Sequence, residues 1–452
     1  MMRMLWIGGL LAYLLLRIML ATQPTYLVDV QMYAHWSLKA ATKGLPDVYR
    51  TSGMDYPPLY AYILYPLGKL YLRLVPDGTW IITESRLLTF LIKLPPLLFD
   101  LGIAWLLAAI ARRRGAGDRW QRALLALYLG NPAVVFSTGY WGHPDSVFCF
   151  LVLAALVVLG SARRRSNSTL LSGALLALAL LTKPLAAPYI PLLAGLGVVW
   201  HGVRRTLLGI AAALGTGVLA CLPFILREGA ATFIQHMGDN LRVMPFTTCN
   251  AHNIWWLIAP WQLAGEVWHW PLTLTQLGLG LVCLYLAALA VLALRTHHRA
   301  PGGLAAEHGI ALAAGTAFAF FMLATRLHEN HMFPVAVFLT ALLPWPAPHA
   351  AGAQRAALVL LAAASLGSLL NMALHDPALS ALWPRATAAL TPVEVLVGGE
   401  LFFGPPGATR WAAGLNLATF LTLTAWIFLP RGRGLLDRLA PAPRGSRARE
   451  AR

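Results

Sequence analysis

Charge is scarce in this 452-residue chain: charged side chains make up 12% of it and hydrophobic ones 58%. A soluble domain carries about a quarter charged residues. Apolar runs recur along the whole length, each roughly the 20 residues needed to cross a hydrocarbon core as a helix. Together these exclude a large soluble all-α protein. Cysteine is nearly absent as well. The four present (Cys149, Cys221, Cys249 and Cys283) form neither a CxxC pair nor a zinc-ligand spacing. They read as packing residues, although Cys249 falls where it could face an oxidising compartment. A glycine-rich dinucleotide fingerprint is missing, and so is HExxH: in "RLHENHM" (326–332) the last position is methionine and the second histidine is His331. Zinc-protease chemistry therefore has little support. No internal repeat is evident.

Positive charge is what the chain does have, with a formal net charge of +17. Its distribution argues against a nucleic-acid stripe. Arg112-Arg113-Arg114, Arg163-Arg164-Arg165, Arg204-Arg205 and the Arg-rich segment from Arg431 each follow an apolar run, which is the positive-inside pattern of a polytopic membrane protein. Leu5 to Leu20 after Arg3 has the look of a signal peptide. Arg17 interrupts it and no small-residue cleavage site follows, so an uncleaved first helix is expected. Run length and charge predict about twelve spans with both termini inside. The expected spans lie near 4–22, 86–111, 120–139 and 145–161, two flanking Lys183-Pro184, then 206–226, 272–294, 308–325, 332–347, 355–373 and 410–429. One transmembrane domain would cover 1–430, with 431–452 as a basic cytoplasmic tail. Residues 23–85 become a large first external loop; its stretch Tyr60 to Leu74, with Lys69 and Arg73 in its last turns, is expected to lie on the membrane as an interfacial helix.

With the orientation set by arginines, the unusual polar residues all fall on the external side. They are Asp29, Gln31, His35, Asp55, His143, Asp145, Lys183, Asn250, Asn253, Arg326, His328, Glu329 and His331. Polar groups at membrane depth are costly and tend to face a cavity or a partner, so this agreement points to a site at the outer surface. Asp29 could be an N-cap, though Met32 three residues on gives no capping box. On a helix Asp29, Tyr33 and Trp36 share a face, and an ionised carboxylate beside aromatics suits a general base acting on a sugar hydroxyl. In "DYPPL" (55–59) the prolines start a helix, while Asp55 and Tyr56 can reach a cavity. "YWGHPDS" (140–146) suits a helix start at Pro144 and also sets Trp141, His143 and Asp145 together as a carbohydrate-like lining. In "TRLHENH" (325–331) Arg326 and His328 suit a lipid-linked phosphate, as does Lys183, while His328 and Glu329 resemble a metal pair; snorkelling is the plainer account of Arg326 and Lys183. Lys93 and Asp100, two turns apart on one helix, read as structural.

These stretches, in this order, resemble a known family. "DVQMYAHW" (29–36) followed by "DYPPLYAYILY" (55–65) is similar to the first luminal loop of the dolichyl-phosphate-glucose-dependent glucosyltransferases of N-glycan assembly. "PFTTCNAHNIWWL" (245–257) is similar to that family's Ala-Asn-Phe-Trp region. "RLHENHMFP" (326–334) and "YWGHPDS" resemble segments of bacterial integral-membrane mannosyltransferases related to the second GPI mannosyltransferase. Both groups belong to the GT-C superfamily. The resemblance implies a GT-C fold and transfer of a hexose, glucose or mannose, from a polyprenyl- or dolichyl-phosphate donor to a lipid-linked or membrane glycan acceptor. Asp29 maps onto the catalytic base; His328 and Glu329 map onto the residues near donor phosphate and sugar, with Lys183 and Arg326 beside them. Gln31, Tyr33, His35, Trp36, Asp55, Tyr56, Trp141, His143, Asp145 and Asn253 are expected to line the acceptor cleft. His143 and Asn330-His331 depart from the family's usual residues and leave the sugar open. No cofactor and no obligatory metal is implied; Asp29 and Asp145 would be the carboxylates for one. The Ala-, Leu- and Arg-rich composition suggests a bacterial inner membrane and a polyprenyl carrier. Two alternatives stay open: a GT-C enzyme acting on protein or lipid A, and a flippase or transporter of polyprenol-linked sugar, whose path Lys93 and Asp100 would line.

Overall fold

The computed structural model describes residues 2–161, 167–240, 245–269, 271–299, 306–343, 351–376, 378–379 and 406–429. The expected basic tail 431–452, the triplet Arg163 to Arg165 and the C-terminal end of the span expected to reach 347 lie outside these residues. The chain is a predominantly helical membrane protein. Six of its described helices are long and apolar enough to cross a bilayer, seven if a pair bent by 46° counts as one. Helix α1 spans Met2–Ala21. The segment expected as the first external loop then folds into α2 (Leu27–Lys43), the short α3 (Val48–Ser52) and α4 (Pro58–Leu74). Next come α5 (Arg86–Arg113), the bent pair α6 (Asp118–Leu129) and α7 (Pro132–Trp141), α8 (Asp145–Ser161), α9 (Ser168–Leu180), α10 (Tyr189–His201) and α11 (Val203–Glu228). The remainder is α12 (Ala230–Asn240), α13 (Ile254–Ile258), α14 (Leu274–Arg299), α15 (Ala306–Leu323), α16 (Phe333–Leu342), α17 (Ala351–Ala373) and α18 (Pro406–Phe428). Shorter apolar stretches, Gly8–Ala21 in α1, Asp145–Gly160 in α8, Ser168–Leu180 in α9 and His308–Leu323 in α15, stand where four more spans were expected.

Burial separates the inner helices from the outer ones. Every residue of α16 is buried, and Phe148, Phe318, Phe321 and Phe338 from α8, α15 and α16 are closed to solvent. On α11 and α14, by contrast, Leu214, Leu219, Leu226 and Leu284 are 67–77% exposed. Such an apolar surface is stable only against lipid. The inner bundle carries a buried ion pair: Arg17 of α1 meets Asp100 of α5 at 2.5 Å, and Tyr128 donates to the same carboxylate at 2.8 Å. Thr138 of α7 completes that network.

The loop helices make a second core. Tyr33, Trp36, Tyr49, Tyr60 and Leu64 are buried together with Phe224 and Phe233 from α11 and α12. Gly68 lets α2 and α4 touch, since a Cβ there would lie 2.3 Å from the Ser37 carbonyl oxygen. Opposite them, a parallel two-residue ladder joins β1 (Thr248–Cys249) to β4 (Leu327–His328), pairing Thr248 with Leu327 and Cys249 with His328. This ladder fixes the 245–258 segment against 326–331. A small antiparallel pair, β2 (Val267–His269) and β3 (Leu272–Thr273), precedes α14.

Candidate functional site

Asp29 is not an N-cap. The cap of α2 is Tyr26, in the left-handed region at φ 46°, and Asp29 sits inside the first turn. Its carboxylate accepts a hydrogen bond from the Trp141 indole N–H at 2.9 Å. Trp141 is held by Tyr26, which stacks on it at 3.7 Å with the planes 10° apart and anchors its own hydroxyl on the Met372 carbonyl. α7 ends in π-helical turns, Val135–Trp141, a winding that often re-aims side chains at functional sites. Gly142 follows at φ 83°, the left-handed region that glycine adopts freely.

His143 lies 5.1 Å from Trp141, ring to ring. From it the polar contacts continue without a break. The Tyr56 hydroxyl is 3.2 Å from His143 Nε2 and 3.2 Å from the Tyr33 hydroxyl. Lys183 Nζ is 3.5 Å from His143 Nε2 and donates to Asp145 Oδ1 at 2.8 Å. The other Asp145 oxygen accepts from the Asn330 amide at 2.7 Å. Both oxygens of Asp145 are therefore engaged in joining the start of α8, the turn after α9 and the 3₁₀ turn Glu329–Met332. Asp145 is a structural hub, not a free carboxylate beside Asp29. Across the turn, the His328 backbone N–H donates to His331 Nδ1 at 3.1 Å, and His328 Nδ1 lies 3.9 Å from Glu329 Oε2.

Burial dominates the electrostatics. It raises the Asp29 carboxyl above its usual value, opposed by His143, the Trp141 hydrogen bond and Lys183. The Asp55 carboxyl is pushed up to about 6, by burial first and then by the charge on Asp29. Glu329 rises to about 8, again mainly through burial, with Asp29 adding to it. His328 keeps 32% of its side chain open yet is lowered to about 4, because the cleft walls strip water from it and Lys183 and His143 repel its proton. Burial likewise holds His143 below its usual value. Asp29, Asp55 and Glu329 are thus biased towards the protonated form, and His143 and His328 towards the neutral imidazole.

Of the residues expected at the site, Asp29, Tyr33, Tyr56, Trp141, His143, Asp145 and Lys183 meet in one connected cluster. His328 and Glu329 border it. Asp55 reaches it electrostatically, and among the described residues its buried Oδ1 has no hydrogen-bond partner. Trp36 packs behind Tyr33 and Tyr56, 5.5 Å from each. Arg326 heads the turn at φ 63°, its N–H bonded to the Phe246 and Thr247 carbonyls. Three residues are not brought in. Gln31 grips the next segment through Trp80 O and Ile82 N at 2.8 and 3.0 Å, and His35 stands edge-on to the Trp80 ring. Both lie on the opposite side of α2 from Asp29, where a spacing of two and six residues puts them. Asn253 is used up as the cap of α13, accepting from Trp255 and Trp256 N–H and donating to the Phe321 carbonyl. Sequence reasoning passed over Tyr26 and the partnership of Asn330 with Asp145. It also missed a buried pair, His252 and His375, whose Nε2 atoms are 2.8 Å apart. Only the density of polar residues in "NAHN" and "HENH" hinted at these. Among the described residues no group of three or more His, Cys, Asp or Glu side chains is arranged to hold a metal ion.

An apolar groove of about 600 Å³ runs along α9, α10, α11 and α12, lined by residues such as Leu176, Leu181, Ala213, Val218 and Phe233. Leu181 is two residues from Lys183, and its carbonyl accepts from Leu59 N–H at 2.8 Å, so the groove adjoins the polar cluster. No protein-family model and no curated protein sequence matches the chain.

Proposed function

We propose that the protein is a GT-C hexosyltransferase that takes glucose or mannose from a polyprenyl-phosphate donor. It acts on the non-cytoplasmic face of a bacterial inner membrane, in a frame of about twelve crossings, and its acceptor is a glycan or glycolipid. One observation carries this reading: a half-buried carboxylate, Asp29, is aimed by an indole N–H in the same cleft as a buried lysine, Lys183, that adjoins a lipid-facing apolar groove. Asp29 takes the proton from an acceptor hydroxyl. The hydroxyl oxygen bonds to the anomeric carbon while the bond from that carbon to the phosphate oxygen breaks. The configuration inverts and polyprenyl phosphate leaves. Lys183, with Arg326 and His328 as further donors, stabilises charge on the leaving phosphate. The apolar groove beside Lys183 favours a lipid-borne donor over a nucleotide sugar. A transporter would need Lys93 and Asp100 free to line a path; Lys93 is bonded to two backbone oxygens and the Thr25 hydroxyl, and Asp100 to Arg17, Tyr128 and Thr138.

The test is direct. Purified protein in liposomes is given synthetic polyprenyl-phosphate glucose or mannose, and polyprenyl phosphate release is followed with and without membrane-lipid acceptors. Turnover with one donor is expected, and Asp29→Asn should abolish it while leaving the fold intact. A fully active Asp29→Asn variant would refute the assigned base. Movement of labelled donor across the bilayer without turnover would replace the enzyme reading with transport.

A further inference from the structure

Lys93 stands in the N-terminal third of α5, ahead of Pro95 and Pro96, and is closed to solvent. An ammonium has three N–H donors and no acceptor. All three have partners here: the Gln23 carbonyl at 2.8 Å, the Thr25 hydroxyl at 2.7 Å and the Tyr140 carbonyl at 2.5 Å. Thr25 in turn donates to the Tyr140 carbonyl. One side chain therefore ties the segment between α1 and α2 to the last turn of α7. Those two segments carry Tyr26 and Trp141, the stacked pair, and Trp141 holds Asp29. Gly142 shows how closely the clamp is packed, since a Cβ there would sit 2.4 Å from Lys93 Cγ.

We infer that Lys93 is a positioning residue for the Asp29 carboxylate, acting through Thr25, Tyr140 and the Tyr26–Trp141 stack. A buried lysine with no carboxylate partner is costly. Here its cost is offset by fixing two backbone segments that no regular ladder joins. Its catalytic consequence rests on the reading of Asp29 as the base. The clamp itself does not.

The experiment uses full-length protein with Lys93→Met, Thr25→Val and Thr25→Ser. Thr25→Val keeps shape but removes one of the three acceptors, and it decides the matter if Lys93→Met does not fold. Amide hydrogen exchange should rise over 22–29 and 139–143 in Lys93→Met and Thr25→Val, with α8 and α16 unchanged. With the donor that turns over, kcat should fall about 10–100-fold, the scale of a small misplacement of a reacting group. KM for the donor should stay within about threefold, because the Lys183 side is untouched. Thr25→Ser should keep both near the wild-type values. Unchanged kcat in both altered variants, a change in KM alone, or uniform loosening of every helix would overturn the assignment. If the wild-type protein turns over neither donor, the local exchange response still decides the clamp, and the failure belongs to the functional reading.

Discussion

Replacing Lys183 by methionine tests the cluster most sharply, because it separates stability from transfer. Lys183 and Asp145 form a nearly closed ion pair at 2.8 Å, with side chains 8% and 0% exposed. Taking away one partner of such a pair leaves a desolvated charge and costs about 3–5 kcal/mol. Asp145 is not left bare, since Asn330 donates to it at 2.7 Å and His143 Nδ1 lies 3.2 Å away. Lys183→Met should therefore fall at the lower end, about 3 kcal/mol. Adding Asp145→Asn removes the stranded charge while leaving an oxygen for the Asn330 amide. The double variant should recover at least about 1 kcal/mol relative to the sum of the single ones, the size of coupling expected for groups in contact. Denaturant unfolding in detergent micelles reads the four corners of this cycle. Glycosyl transfer should be lost in Lys183→Met and in the double variant alike, because recovered stability does not restore a cation for the leaving phosphate. A Lys183→Met protein as stable as wild type, or a double variant no better than additive, would refute the hub.

Trp141→Phe removes the hydrogen bond that favours ionised Asp29, so the acidic limb of the activity–pH profile should move to higher pH while the alkaline limb stays. Glu329, raised to about 8 in the fold, is ionised more readily when unfolded. Its contribution to stability is present below about pH 4.5, is lost as pH rises and levels off above 8. Glu329→Gln should flatten thermal stability over that window. Gly68→Ala should part α2 from α4, given the 2.3 Å clash with Ser37 O. We expect a loss of about 1–3 kcal/mol, read as lowered thermal stability with early exposure of the 27–74 segment to protease.

Much of this arrangement was legible in the sequence because it rests on local signals. Apolar runs marked the helices, and the prolines of "DYPPL" and "HPDS" marked where α4 and α8 begin. Helical spacing put Asp29, Tyr33 and Trp36 on one face of α2. The same spacing should have turned Gln31 and His35 away, since a polar residue near Asp29 in sequence is not thereby in the cleft. Asn253 misled because a buried asparagine beside tryptophans suits a sugar site and a helix cap equally well. The remaining pieces depend on meetings between distant segments. Nothing local in "HENH" reveals that Asn330 reaches Asp145, 185 residues away. Nor does a lysine in an apolar run disclose the carbonyls that will surround it.

The parallel ladder between β1 and β4 has a consequence for biogenesis. Cys249 pairs with His328 only after α14 and α15, which lie between them, have been laid into the membrane. Closing so long a loop adds little entropy cost beyond that of a shorter one, so the delay is one of order more than of energy. A ribosome-bound chain that has already inserted α1 to α11 holds Asp29 but not the His328–Glu329 wall. The candidate cleft is therefore incomplete until the second half of the chain has entered the bilayer, and the two short strands record when the halves meet.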